Sequence, residues 1–140
     1  MSVRTPAGRL VSAFGNVPAM ASLYAPNVEW SLSASLPFPR PMVGRDAVIA
    51  FNNEVWTRHY RPDCTVRILD EVGDDQVSAV RFVYRAYSHL AGKMYENEYT
   101  VFVRSGPEGI TEVFEALDTA LVRDFMAEGS ADGGAPEASE

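Results

Sequence analysis

A chain of 140 residues, 46% hydrophobic and 22% charged, is long enough to bury one apolar core without disulfides or a structural metal. A net charge of −7, only about −3 of it outside residues 127–140, argues against a nucleic-acid partner, and the lone Cys64 excludes an internal disulfide or a Cys/His zinc module. No apolar run approaches the roughly 18 residues of a membrane-spanning helix, and the start of the chain is polar rather than signal-like, so a cytoplasmic protein with no membrane partner is expected.

Thr5 followed by Pro6 reads as an N-cap and a first helical residue, and Ala7, Leu10, Val11 and Phe14 then recur at the spacing of an amphipathic helix. Gly15 and Asn16 break it. Asn16 caps a second helix with Pro18 in its first turn, with Met20, Leu23 and Tyr24 on its buried face and Pro26 as its stop. Residues 28–32 form a short strand. The loop after it carries Pro37, Pro39 and Pro41, which cannot donate to a sheet ladder, and is expected to cover something, with Phe38 as a lid. From Gly44 to about His59 the helical period returns, with Val48, Phe51 and Val55 on one stripe and Ala47, Ala50 and Trp56 widening it. Residues 65–71, 76–90, 94–104 and 109 to about 123 then alternate with period two and are joined by short Gly-containing turns, which predicts four strands paired as antiparallel hairpins. Helices followed by strands give an α+β domain over residues 5–126. Residues 127–140, rich in Ala, Gly, Ser and Glu, are expected to form a disordered acidic tail.

Four stretches carry a family resemblance: Leu23-Tyr24-Ala25-Pro26-Asn27-Val28-Glu29-Trp30, Gly44-Arg45-Asp46-Ala47-Val48, Tyr95-Glu96-Asn97-Glu98-Tyr99, and Gly109-Ile110-Thr111-Glu112 running to Glu115-Ala116-Leu117-Asp118. Their order and spacing resemble the nuclear transport factor two-like superfamily, and within it the SnoaL-like polyketide cyclases and relatives of ketosteroid isomerase. The resemblance implies three N-terminal helices on the concave face of a strongly curved, mostly antiparallel sheet, a cone-shaped α+β barrel of the cystatin-like kind with a pocket inside. It also implies a homodimer.

Parity then sorts the side chains. Val80, Phe82, Tyr84 and Ala86 share the face assigned to the pocket, as do Tyr95, Asn97, Tyr99, Val101 and Val103 on the next strand. On the last strand Glu115 lies between Val113 and Leu117 on such a face, a carboxylate in an apolar row. Burial there raises its pKa and suits it to proton transfer near neutral pH, the alternative being a structural carboxylate satisfied by a neighbour. Members of the family with one last-strand carboxylate use that position as acid or base, which the resemblance carries to Glu115. Asn97, Tyr99, Tyr84 and Tyr95 are candidates to orient substrate, and Trp30, Trp56 and Phe82 to shape its pocket. Asp118 is read as a structural hydrogen-bonding residue, His89 as a surface or dimer-contact residue, His59 as a favourable helix C-terminal group and Cys64 as a small buried or edge residue.

Two departures narrow the chemistry. Where ketosteroid isomerases carry an Asp late in the first strand and another on the penultimate strand, this chain has Ser31-Leu32-Ser33 and Tyr99-Thr100-Val101. Where limonene epoxide hydrolases carry an Arg-x-Asp pair, it has Phe82 and Tyr84. The expected function is therefore a cofactor-independent and metal-independent cyclase, isomerase or dehydratase of an apolar small molecule, polyketides included, with Glu115 moving the proton. A non-enzymatic ligand carrier or dimeric interaction module is the alternative, and an epoxide hydrolase with a rebuilt site the third.

Overall fold

The computed structural model describes residues 3–132. Helix α1 (Pro6–Ser12) begins where the Thr5 side chain accepts the Gly8 N–H at 3.0 Å, and it buries Ala7, Leu10 and Val11 as their spacing requires. Its start is tied to the sheet. Glu71 Oε2 accepts from the Arg4 and Thr5 backbone N–H groups and from the Thr5 hydroxyl, while Ser78 Oγ accepts the Ala7 N–H. These bonds satisfy donors that a helix start leaves without intrahelical partners. Thr5→Ala removes both the cap and one Glu71 contact, and is expected to lower the unfolding free energy by about 1–2 kcal/mol in a urea titration; an unchanged midpoint would show that the clamp is dispensable.

Helix α2 (Val17–Ala21), capped by Asn16 Oδ1 on the Ala19 N–H, is shorter than its sequence pattern predicts. Tyr24 leaves the helix and opens strand β1 (Tyr24–Leu32), so Pro26 lies in a strand and not at a helix stop. Pro26 is exposed and falls where the pairing of β1 slips between Tyr24 and Glu29, a place where a strand tolerates a residue without an N–H.

After the proline-rich loop come β2 (Met42–Val43) and α3 (Arg45–Glu54), which runs on through a wider π turn at Val55–His59. The inward stripe of this unit is Val48, Asn52 and Trp56, flanked by the half-buried Phe51, Val55 and His59, whereas Ala47 and Ala50 are exposed and do not widen it. The four later strands, β3 (Thr65–Gly73), β4 (Val77–Ser88), β5 (Lys93–Gly106) and β6 (Gly109–Leu117), pair as successive antiparallel hairpins. β6 then runs parallel to β1, giving a curled but unclosed sheet in the order β2-β1-β6-β5-β4-β3. Gly109 makes that junction possible, since at φ 123° a Cβ there would come within 2.6 Å of the Leu23 carbonyl oxygen.

The last strand stops earlier than expected. β6 ends at Leu117, and Asp118 Oδ1 accepts the Leu121 N–H at 3.1 Å to start a fourth helix, α4 (Thr119–Asp132). That helix enters the stretch expected to be disordered, while residues 133–140 of the expected tail lie outside the described residues. The inward faces of β4, β5 and β6 meet α1 and α3 around one aromatic core that contains Trp30, Phe82, Tyr84, Tyr95 and Tyr99.

Candidate active site

Glu115 stands two residues before the end of β6, with Val101 opposite it on β5 and Leu32 opposite it on β1. Parity places it inward, and it is only 8% exposed. Trp30, two residues before Leu32 on the same face of β1, donates its indole Nε1–H to Glu115 Oε1 at 3.2 Å. This is the one hydrogen bond the carboxyl group accepts among the described residues. Burial pushes its pKa up to about 7, and the Trp30 bond pulls part of that shift back down.

The carboxyl group opens onto a cavity of about 70 Å³ between the sheet and α3. A single water needs roughly 10–15 Å³ by the same measure, so the space has room for a small organic molecule. Trp30, Leu32, Tyr84 and Tyr99 form the sheet wall, Phe51, Asn52, Val55, Trp56, His59 and Tyr60 the helical wall, and Leu117 and Val122 close one side. Leu36 and Phe38 of the proline-rich loop lie across it, Phe38 edge-on to Phe51 at 5.6 Å. Among the described residues that line it, Glu115 is the sole carboxylate.

Phenols surround that charge. Burial raises the pKa values of Tyr24, Tyr60, Tyr84 and Tyr99, and brings Tyr95 to about 12. Glu115 adds to the shift at Tyr24, Tyr60, Tyr95 and Tyr99, because a phenolate beside a carboxylate is penalised twice. All of them stay protonated at neutral pH and act as hydrogen-bond donors, not bases. Asn97 Nδ2 donates to the Tyr95 hydroxyl at 2.8 Å, and the Tyr95 and Tyr99 hydroxyls share a hydrogen bond at 2.9 Å.

The sequence pattern of the SnoaL-like domain family matches residues 9–113. The chain belongs to the SnoaL-like domain family. Solved structures agree on the fold. An NTF2-like protein from Burkholderia thailandensis E264 superposes with a TM-score of 0.72 at 19% identity, covering 89% of this chain and 98% of that one. A protein from Jannaschia sp. CCS1, named for its likeness to SnoaL-like polyketide cyclases, gives 0.70 at 13% identity over 91% and 98%. A protein of ketosteroid isomerase-like fold from Catenulispora acidiphila, solved with trimethylamine, gives 0.68 at 16% identity over 94% and 93%. No functionally curated protein matched the sequence.

The cavity of this SnoaL-like chain gathers Glu115, Trp30, Trp56, Tyr84 and Tyr99. It does not gather all the residues that parity proposed. Asn97 is buried, but its amide is spent on Tyr95, on the Asp118 carbonyl at 3.1 Å and on the Glu98 N–H at 2.8 Å, so it positions Tyr95 rather than touching the cavity. Phe82 lies behind the wall, stacked on Tyr99 with ring centroids 5.5 Å apart. Tyr95 faces a smaller recess with Tyr60 and Phe125. Tyr84 accepts the Trp56 indole N–H at 2.9 Å, so its oxygen is already engaged.

His59 and Asn52 are polar wall residues that the sequence pattern does not assign to the pocket. His59, read as a helix-end group, lines the cavity against Phe38, and burial lowers its pKa so that it is neutral at pH 7. Asn52 is 1% exposed and sits on the inward stripe four residues after Val48 and four before Trp56. The signal was available, since helical spacing alone places a polar amide inside that apolar stripe.

Proposed function

We propose that this SnoaL-like chain is a cofactor-independent cyclase, isomerase or dehydratase in which Glu115 moves a proton on a compact, largely apolar molecule. The observation that carries the reading is a buried carboxyl group with a pKa of about 7, fixed through one oxygen by Trp30 and open to the cavity through the group's remaining edge. Near neutral pH it is present in both protonation states, which suits a group that takes a proton and gives it back.

As carboxylate, Glu115 takes a proton from a carbon beside a substrate carbonyl. The C–H electron pair becomes the enolate double bond, and the carbonyl π pair moves onto oxygen, where neutral donors steady it. Returning the proton to a different carbon isomerises the molecule. Attack of the enolate carbon on a second carbonyl of the same molecule closes a ring, and the new alkoxide takes the proton back from Glu115. In a dehydration the protonated acid instead donates to a departing hydroxyl, which leaves as water, and the carboxylate so formed takes the proton from the neighbouring carbon, whose C–H pair becomes the new C=C bond. An aromatic wall lends shape and excludes water, and Tyr99, held by Tyr95, lends a donor.

Hydrogen exchange tests the reading without knowledge of the natural substrate. Small ketones such as cyclohexanone are incubated with the protein in D2O, and α-deuteration is followed by NMR. Exchange above the buffer rate that disappears in Glu115→Gln supports the proposal. No protein-dependent exchange across a panel of ketones, with binding intact, would make the pocket a ligand-binding site instead.

A homodimer belongs to the same proposal. The outer sheet face offers paired charges, Arg81 with Asp70 at 2.7 Å and Glu98 at 3.1 Å and Arg104 with Glu112 at 3.1 Å, a surface that two copies could bury only with those pairs kept satisfied. Light scattering should return twice the 15.4 kDa chain mass; a monomer at high protein concentration removes this part alone.

A further inference from the structure

Asn52 is the polar group the cavity leaves unexplained. Its Oδ1 accepts the Tyr24 hydroxyl at 2.5 Å, and its Nδ2 has no hydrogen-bond partner among the described residues although the side chain is buried and lines the cavity. A buried amide donor without an acceptor costs on the order of a hydrogen bond or more, so its position calls for a reason.

The orientation of the amide follows from counting. Tyr24 stays protonated because burial and the charge of Glu115 both oppose its ionisation, and its hydroxyl must donate somewhere. Turning the amide over would leave two groups unmet, the Tyr24 proton and the Asn52 carbonyl, where the present orientation leaves only the N–H. Tyr24 in turn stands edge-on to Trp30 with centroids 6.4 Å apart, and Trp30 holds Glu115. One side of Trp30 thus fixes a donor and its indole nitrogen fixes the carboxyl group, both on the wall of one cavity.

We propose that Asn52 Nδ2 binds an oxygen of the substrate, so that the pocket selects compact carbonyl compounds over hydrocarbons of the same shape. This deepens the proposed function and rests on it for the catalytic consequence: an oxygen held by Asn52 receives the negative charge when Glu115 removes the neighbouring proton. An amide N–H cannot give up its proton at neutral pH, so Asn52 stabilises the enolate without protonating it, and the proton remains with Glu115.

The test is a double-mutant comparison between a protein group and a ligand group. Dissociation constants for cyclohexanone and for methylenecyclohexane, which replaces the C=O by C=CH2, are measured by NMR titration of the indole N–H signals of Trp30 and Trp56, the two tryptophans of the chain. Relative to the hydrocarbon, the ketone should lose about tenfold in affinity in Asn52→Leu, the loss expected for one buried hydrogen bond. If the leucine variant does not fold, Asn52→Ala is measured in its place. Tyr24→Phe frees the amide to turn and should give a smaller loss in the same ratio, an effect that a purely structural Asn52 would not produce. An unchanged ketone-to-hydrocarbon ratio, or no detectable ketone binding to the unaltered chain, overturns the proposal. Loss of the ratio without Glu115-dependent exchange keeps the oxygen-binding role and rejects the catalytic reading; Glu115-dependent exchange with an unchanged ratio rejects only the role of Asn52.

Discussion

Glu115→Gln should lower the rate of ketone exchange, and of turnover of the natural substrate, by about 10²–10⁴-fold, the range over which a positioned acid or base acts. Glutamine keeps the shape of the side chain, and its carbonyl oxygen can still accept the Trp30 N–H, so the cavity and its binding should survive. What is lost is the capacity to take a proton. No neighbour replaces it: the surrounding phenols are held protonated, and no other carboxylate lines the cavity among the described residues. His59 is the one other wall group that is neutral and able to accept a proton, so His59→Gln is the control and should change the rate only a few-fold. The pH profile then separates the reactions. Activity that rises with pH through about 7 marks the carboxylate as base, as isomerisation and cyclisation require, whereas activity that falls through the same range marks the acid of a dehydratase. A rate unchanged in Glu115→Gln rejects the proton-transfer role.

The strand half of this fold was legible because period two is a strong signal when one face is buried. Val80 to Ala86 and Tyr95 to Val103 alternate without interruption, and their pairing across β4 and β5 follows the turn between them. The same parity found Glu115, since an acid at an inward position stands out against Val113 and Leu117. The ends of elements were harder to read. Residues 109 to 123 looked like one strand because Ala116 to Leu121 carry no glycine or proline, yet Asp118 followed by Val122 and Phe125 is a cap and the start of a helical stripe. Depth was harder still. Parity shows which side of a sheet a residue faces, but not whether another side chain stands between it and the cavity, and so Phe82 and Asn97 were grouped with Tyr84 and Tyr99. Their places depend on Tyr95, Tyr99 and the Asp118 carbonyl, contacts across 2 to 21 positions of sequence that no local pattern encodes.

The stability of the protein should record the cost of holding Glu115 in its site. In the unfolded chain this carboxyl group gives up its proton near its ordinary value of 4.5, and in the folded chain near 7. Below the lower value both states are protonated and the group contributes nothing. Between the two values the unfolded state binds fewer protons, so stability falls as pH rises; above about 7 both are ionised and the full cost, on the order of 3 kcal/mol, is present. Glutamine carries no such cost. The variant should therefore gain on the unaltered chain as pH rises from 5 to 8, read as a growing gap between urea midpoints, while groups common to both chains cancel. Glu71, whose carboxyl is held low by the Thr5 hydroxyl, is among those that cancel. A gap independent of pH would mean that the carboxyl group is solvated and the site is not the one described. Trp30→Phe sharpens the result, because removing the indole donor takes away the bond that favours the charged form and should move the midpoints of both the stability difference and the activity profile upward together. A shift in one without the other would separate the buried acid from the working one.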